Sequence, residues 1–168
     1  NTSGKRSYAP HHEMLDAAVV MGAVATVTTT LKLGTSVLIS PYRGPLNDVR
    51  QFTTVDVLSG GRLILGVGAG WMVEEFEALG LEPRERGPRT VEAIEIYKRA
   101  WTDRDVSFDG EYYQFSNISM DPKPIQDPRP PIIYGGVSEL GARRSARHCD
   151  GFYPLFLDPY ADPSRYDL

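Results

Sequence analysis

At 168 residues, 41% of them hydrophobic and 24% charged, the chain has the make-up of a globular protein, long enough to bury a core and short for two domains. A net charge of −4, with 18 lysines and arginines scattered along the chain, offers no field for a nucleic-acid backbone, and the apolar runs fall short of the roughly 18 residues of a membrane span. One cysteine, Cys149, excludes an internal disulfide and no basic-then-apolar leader opens the chain, so the expectation is one domain over 1–168 in a reducing cytoplasm.

The opening residues 1–12 are polar, carry Gly4 and Pro10, and read as a loop. Over 13–29, Leu15, Ala18, Val19, Gly22, Ala25 and Thr26 recur at helical spacing, with small residues that permit close helix contact. "LKLGTSVLIS", 31–40, reads as a buried strand ended by Pro41. A second helix over 44–59 follows, with Pro45 in its first turn and Gly60 and Gly61 past its end. Residues 62–68 are the next strand, "WMVEEFEALG" is a third helical stretch stopping at Gly80, and 89–103 repeats Val91, Ile94, Tyr97 and Trp101 on one helical face. Residues 104–130 depart from the alternation: "VSFDGEYYQFSN" reads as a hairpin about a D-G turn, and the proline-rich "DPKPIQDPRPP" as an extended surface connection. The alternation then resumes with strand 131–136, a helix with Ser138 as its N-cap, and "GFYP" opening another strand.

The stretch "GGRLILGVGAGW" carries most of the functional information. An apolar run breaks into Gly66, Gly68 and Gly70, the way a buried strand brings its backbone to a ligand. A dinucleotide-binding turn, G-x-G-x-x-G, would need its third glycine at position 71, where Trp71 stands. Alternating strands and helices imply a parallel sheet instead, and four strands besides the hairpin amount to the middle of a (β/α)8 TIM barrel, which takes roughly 250 residues when closed.

The runs "TTTLKLGTSVLISPYRGPLNDVRQFTTVDVLSGGRLILGVGAGWMVEEFEALG", "RGPRTVEAIEIYKRAW" and "PPIIYGGVSELGARRSARHCDGFYP" are similar to the luciferase-like monooxygenase superfamily, most closely its deazaflavin (F420)-dependent oxidoreductase branch. The resemblance implies the α/β fold of a bacterial-luciferase-type TIM barrel, here a partial one whose first strands and last units are absent. It implies hydride transfer to or from a small organic substrate on coenzyme F420, or the alternative of an FMN-dependent two-component monooxygenase; a truncated chain that only binds or assembles is a further alternative. It places Ser36 and Val37 against the ring, with a non-proline cis peptide between them, and makes Gly68, Ala69 and Gly70 the next wall. Gly135, Gly136, Val137 and Ser138 become the phosphate turn, where strand-end N–H groups and a helix dipole favour an anion. Sugar-phosphate dehydrogenases of the family carry a carboxylate directly after the glycine turn; Trp71 stands there instead, which points to an apolar substrate pocket or, equally, to a core anchor beneath the following helix. An Asp-His pair is expected upstream of Asn1, so no catalytic residue is assigned within the chain. The resemblance also implies a homodimer through helices 13–29 and 44–59.

Other polar residues read as structural. Arg62, Arg86, Arg89 and Glu92 are expected in ion pairs with partners such as Asp56 or Glu75. Cys149 has no base paired with it and reads as a half-buried helix thiol. His11, His12 and His148 lack metal-ligand spacing, so no metal is expected.

Overall fold

Strand and helix alternate along residues 13–154, the part of the chain that the computed structural model describes; the loop expected over 1–12 lies outside it. The first helix, α1 (Ala17–Val27), starts where Asp16 accepts a hydrogen bond from Val19 N at 3.1 Å, satisfying one orphan donor of the first turn. The strand expected over 31–40 is broken into β1 (Leu33–Gly34) and β2 (Leu38–Ile39), and the Ser36–Val37 peptide in the gap is cis, as the resemblance implies. A 3₁₀ turn, Ser40–Tyr42, leads to α2 (Pro45–Ser59), whose C-cap is Gly60 at φ +67°, a conformation that a side chain would oppose.

β3 (Leu63–Gly68) is followed by the short α3 (Val73–Ala78) and by α4 (Arg86–Thr102), which begins three residues before the periodic segment. The hairpin strands are β4 (Asp105–Asp109) and β5 (Gln114–Ser119), then come β6 (Ile132–Gly136), α5 (Glu139–His148) and β7 (Gly151–Pro154). The hairpin turns through 110–113 rather than through a two-residue D-G loop: Asp109 pairs with Gln114, and Gly110 N donates to Tyr113 O.

The main sheet is parallel, in the order β1-β3-β6-β7, with β2 also beside β3. Leu38 and Ile39 pair with Val67 and Gly68, and Val67 pairs with Tyr134, so the carboxyl ends of β2, β3 and β6 lie side by side. Leu33, Leu63, Leu65, Val67 and Ile132 bury against Phe52 and Val55 of α2 and Ile94, Tyr97 and Trp101 of α4. Full burial of a side chain such as Phe52 stabilises by about 2 kcal/mol. Parallel strands joined by helical crossovers packed on the sheet are the architecture of part of a TIM barrel.

The four charged residues do hold the fold together, but not with the partners expected. Arg62 makes no pair with Asp56: its guanidinium binds carbonyl groups of the α1 end, Leu31 and Ser59. Asp56 instead accepts from Ile125 N, Gln126 N and Gln126 Nε2, and thereby ties down the proline-rich segment. Arg89 pairs with Glu85, Arg86 donates to Pro83 O, and Glu92 accepts from the backbone N–H groups of Glu111, Tyr112 and Tyr113, fixing the hairpin to α4. Lys123 donates to Ala100 O and Asp103 O, where α4 ends in unpaired carbonyls, so residues 121–131 are anchored at both the α2 and α4 ends.

Candidate active site

Barrel sites form at the carboxyl ends of strands, and three of the segments singled out in the sequence meet there. The first is the break between β1 and β2. Thr35 Oγ1 donates to Gly66 O at 2.6 Å, and a Cβ at Gly66 would collide with Thr35 O, so a glycine on β3 lets the broken strand lie close against it. Ser36 is exposed and Val37 half-buried.

The second is the glycine turn after β3. A Cβ on Gly68 would stand 2.6 Å from Val37 Cγ2 and 3.6 Å from Gly135 O, which shows how near all three segments come to one another. Gly70, at φ +80°, packs against Ile39 and Phe76. These glycines thus make room for neighbouring protein groups as well as baring backbone. Trp71 is 43% exposed, between this turn and α3, and is no core anchor.

The third is the turn from β6 into α5. Gly135 and Gly136 pair with Tyr153 and Pro154, Val137 is exposed, and Ser138 caps the helix by accepting from Gly141 N at 3.1 Å. The helix dipole adds positive potential at this end, against which Glu139 in the first turn is paired with Arg143.

An open groove of about 890 Å³ runs beside the broken strand, lined by Thr35, Ser36, Val37 and Ile39 on one wall and by α1 residues such as Val20 and Met21 on another. Tyr42, Arg43 and Leu79 also line it, whereas Trp71 and the turn 135–138 stand outside its described lining. None of these three residues stands in a motif that marks it as a site residue. Their one signal was position: Tyr42 and Arg43 sit in the loop directly after a strand's carboxyl end.

Arg43 is fixed from three sides, by Asp48 Oδ1 at 2.7 Å, Asp16 Oδ2 at 2.8 Å and Gln51. Its guanidinium holds the Asp16 carboxyl below the usual range. Asp48 also accepts from Tyr97 Oη at 2.8 Å; its burial pushes its pKa up, opposed by the bonds from Arg43 and Tyr97. This network, buried at Asp48 and Tyr97 and open to solvent at Asp16, joins the starts of α1 and α2 to α4.

Among the described residues no group of three or more His, Cys, Asp or Glu is placed to hold a metal ion, and His148 lies 3.2 Å from Glu95 instead; His11 and His12 fall outside the described residues. The Cys149 thiol follows α5 rather than lying in it, and burial pushes its pKa up to about 12, far from a nucleophile's range. No helix of the described residues is long and apolar enough to cross a membrane.

Parallel strands, helical crossovers and glycine turns at the strand ends together define part of a (β/α) barrel. The luciferase-like monooxygenase family profile matches residues 6–164, and the chain belongs to that family. It is similar to an FMNH2-dependent dimethylsulfone monooxygenase of Pseudomonas putida, 33% identical over 141 residues, 82% of this chain and 39% of that protein. An uncharacterized protein of Mycobacterium tuberculosis is 34% identical over 156 residues, 93% of this chain and 53% of that one. Among solved structures, the monooxygenase RslO1 from Streptomyces bottropensis superposes with a TM-score of 0.74 at 28% identity, over 79% of this chain and 40% of that chain. An F420-dependent secondary alcohol dehydrogenase shares the fold at a TM-score of 0.77 and 24% identity, over 88% of this chain and 45% of that one. The chain spans about half or less of the length of these relatives.

Proposed function

We propose that the protein is an oxidoreductase that holds a flavin-type ring at the carboxyl ends of β2, β3 and β6 and acts there on a small organic molecule. One observation carries this reading: three backbone turns, at 36–37, 68–70 and 135–138, converge on neighbouring strand ends. The residues fit such a group. Val37 and Ile39 give a flat ring apolar contact, Ser36 offers an exposed hydroxyl, and the Ser138-capped start of α5 suits a phosphorylated tail. When bound, the ring supplies the hydride or oxygen chemistry, while the protein orients it. Trp71, beside the glycine turn, is the proposed apolar contact for the substrate.

The ring proposed is coenzyme F420, on the resemblance of Thr35–Val37 and Gly60–Trp71 to that branch. The relation to an FMNH2-dependent enzyme favours FMN as the second reading. Equilibrium titration of the full-length protein with each cofactor decides between them. F420 should bind the tighter, and FMN binding at least tenfold tighter, about 1.4 kcal/mol, would overturn the choice.

The same reading includes a homodimer. Val19 and Val27 on α1 and Val57 and Leu58 on α2 are exposed apolar residues on two helices that pack together, a face suited to a two-fold contact. Sedimentation of the full-length protein should give a dimer, and a monomer at high concentration would count against it.

A further inference from the structure

Tyr42 lines the same groove as Ser36, Val37 and Ile39, and its ring is held edge-on to buried Phe76, with centroids 4.8 Å apart and planes at 70°. Its hydroxyl has one hydrogen, and that hydrogen is committed. It points to Glu75 Oε2 at 2.8 Å, with Met72 O at 3.4 Å as a longer, weaker acceptor. A phenol oxygen in that state has only lone pairs to offer, and the bond to a carboxylate makes them stronger acceptors. Burial, and after it the Glu75 carboxylate, push the ionisation of Tyr42 well up, so the hydroxyl keeps its hydrogen at physiological pH.

Other polar groups on the lining add few competing donors. Thr35 Oγ1 donates to Gly66 O, Arg43 is engaged by Asp16, Asp48 and Gln51, and Glu13 contributes further acceptor oxygens; the exposed Ser36 hydroxyl can donate, and an alcohol can accept from it while donating to Tyr42.

We infer that Tyr42, oriented by Glu75, is an acceptor-only hydrogen-bonding group of the substrate groove, so that the groove favours ligands that donate a hydrogen bond, alcohols above all, over ketones, ethers and sulfones of the same shape. The inference rests on the reading of this groove as the substrate side of the ring site. Tyr42 is the residue that touches the ligand, and Glu75 is a positioning residue that decides the direction of the hydrogen bond. An acceptor-only ligand would face an oxygen with no hydrogen to give and would form no bond to it.

Cyclohexanol and cyclohexanone, nearly isosteric and differing in hydrogen-bond direction, are the probes. Their affinities are measured by saturation-transfer NMR on the full-length protein, with and without added cofactor. The wild type should prefer cyclohexanol. Tyr42→Phe should weaken cyclohexanol about fivefold and leave cyclohexanone within about twofold, the worth of one neutral hydrogen bond. Glu75→Ala should release the hydroxyl hydrogen, so cyclohexanone gains severalfold while cyclohexanol changes little; a merely structural Glu75 would weaken both. The inference is overturned if neither probe binds, if both weaken together in Tyr42→Phe, or if Glu75→Ala leaves their ratio unchanged. A protein that shows this switch yet binds neither F420 nor FMN would overturn the proposed cofactor reading and leave the groove's preference standing.

Discussion

Replacing Arg62 with methionine should destabilise the chain by about 3 kcal/mol or more, with a clear fall in the urea midpoint. Arg62 is 7% exposed, and each of the five N–H groups of its guanidinium has an acceptor. Nε donates to Ser59 O at 2.5 Å, Nη1 to Thr28 Oγ1 at 2.9 Å and Leu31 O at 2.7 Å, and Nη2 to Ala25 O and Thr28 O, both at 2.8 Å. Those carbonyls belong to the last turn of α1, the link to β1 and the last residue of α2, where helices end in orphan acceptors and in the negative ends of their dipoles. One side chain therefore caps two helices, and the dipoles supply what a carboxylate would otherwise give. Methionine keeps part of the packing and leaves four carbonyls, two buried and two part-buried, without their donors, at about 1 kcal/mol or more for each buried one and less where water can reach. Lysine should recover only part of the loss, because an ammonium has three donors and no planar fork to reach both helices. A midpoint for Arg62→Met within about 1 kcal/mol of wild type would sink this account.

Arg62 also marks where the sequence stops being legible. Its acceptors lie 3 to 37 positions away and are mostly backbone carbonyls, which carry no residue-type signal; a charged neighbour such as Asp56 is the only partner that a sequence displays. Asp48 misleads for a related reason. A carboxylate in the first turn of a helix is what a dipole favours, yet this one is buried under Tyr97, 49 positions on. Strand and helix alternation, the Gly60 and Ser138 caps and the hairpin were readable, because each is written in local periodicity or turn chemistry. The break in 31–40 was not readable from periodicity, since Leu33, Val37, Leu38 and Ile39 look alike whether the strand runs on or not. The groove was half legible: Ser36 and Val37 stand in a motif, whereas Tyr42, Arg43 and Leu79 join it only through the packing of β2, α2 and α3.

The glycines of β3 allow a second strong prediction, in which two neighbouring positions should behave differently. Alanine at Gly66 should cost about 3 kcal/mol or more, and binding of the proposed cofactor should be lost with it, since its Cβ would collide with the carbonyl oxygen of Thr35, a backbone atom next to the Ser36–Val37 peptide. Relief would require β1 and β2 to move off β3, breaking the pairing of Leu38 with Val67 and the Thr35 Oγ1 bond to Gly66 O. Shortening the side chain at 35 cannot help, because the obstacle is main chain. Alanine at Gly68 meets a different obstacle: Val37 Cγ2 at 2.6 Å, with Gly135 O at an ordinary 3.6 Å. Gly68→Ala should therefore be partly rescued by Val37→Ala, and Gly66→Ala should not be rescued by Thr35→Ala. Alanine at Gly22, within α1 and with nothing inside 4 Å of its Cβ, should instead stabilise by roughly 0.5–1 kcal/mol through helix propensity. Urea unfolding of the three single and two double variants measures all of these differences. Equal rescue at both strand positions, or a Gly66→Ala protein as stable as wild type, would show that the close seating of the broken strand on β3 is not what these glycines are for.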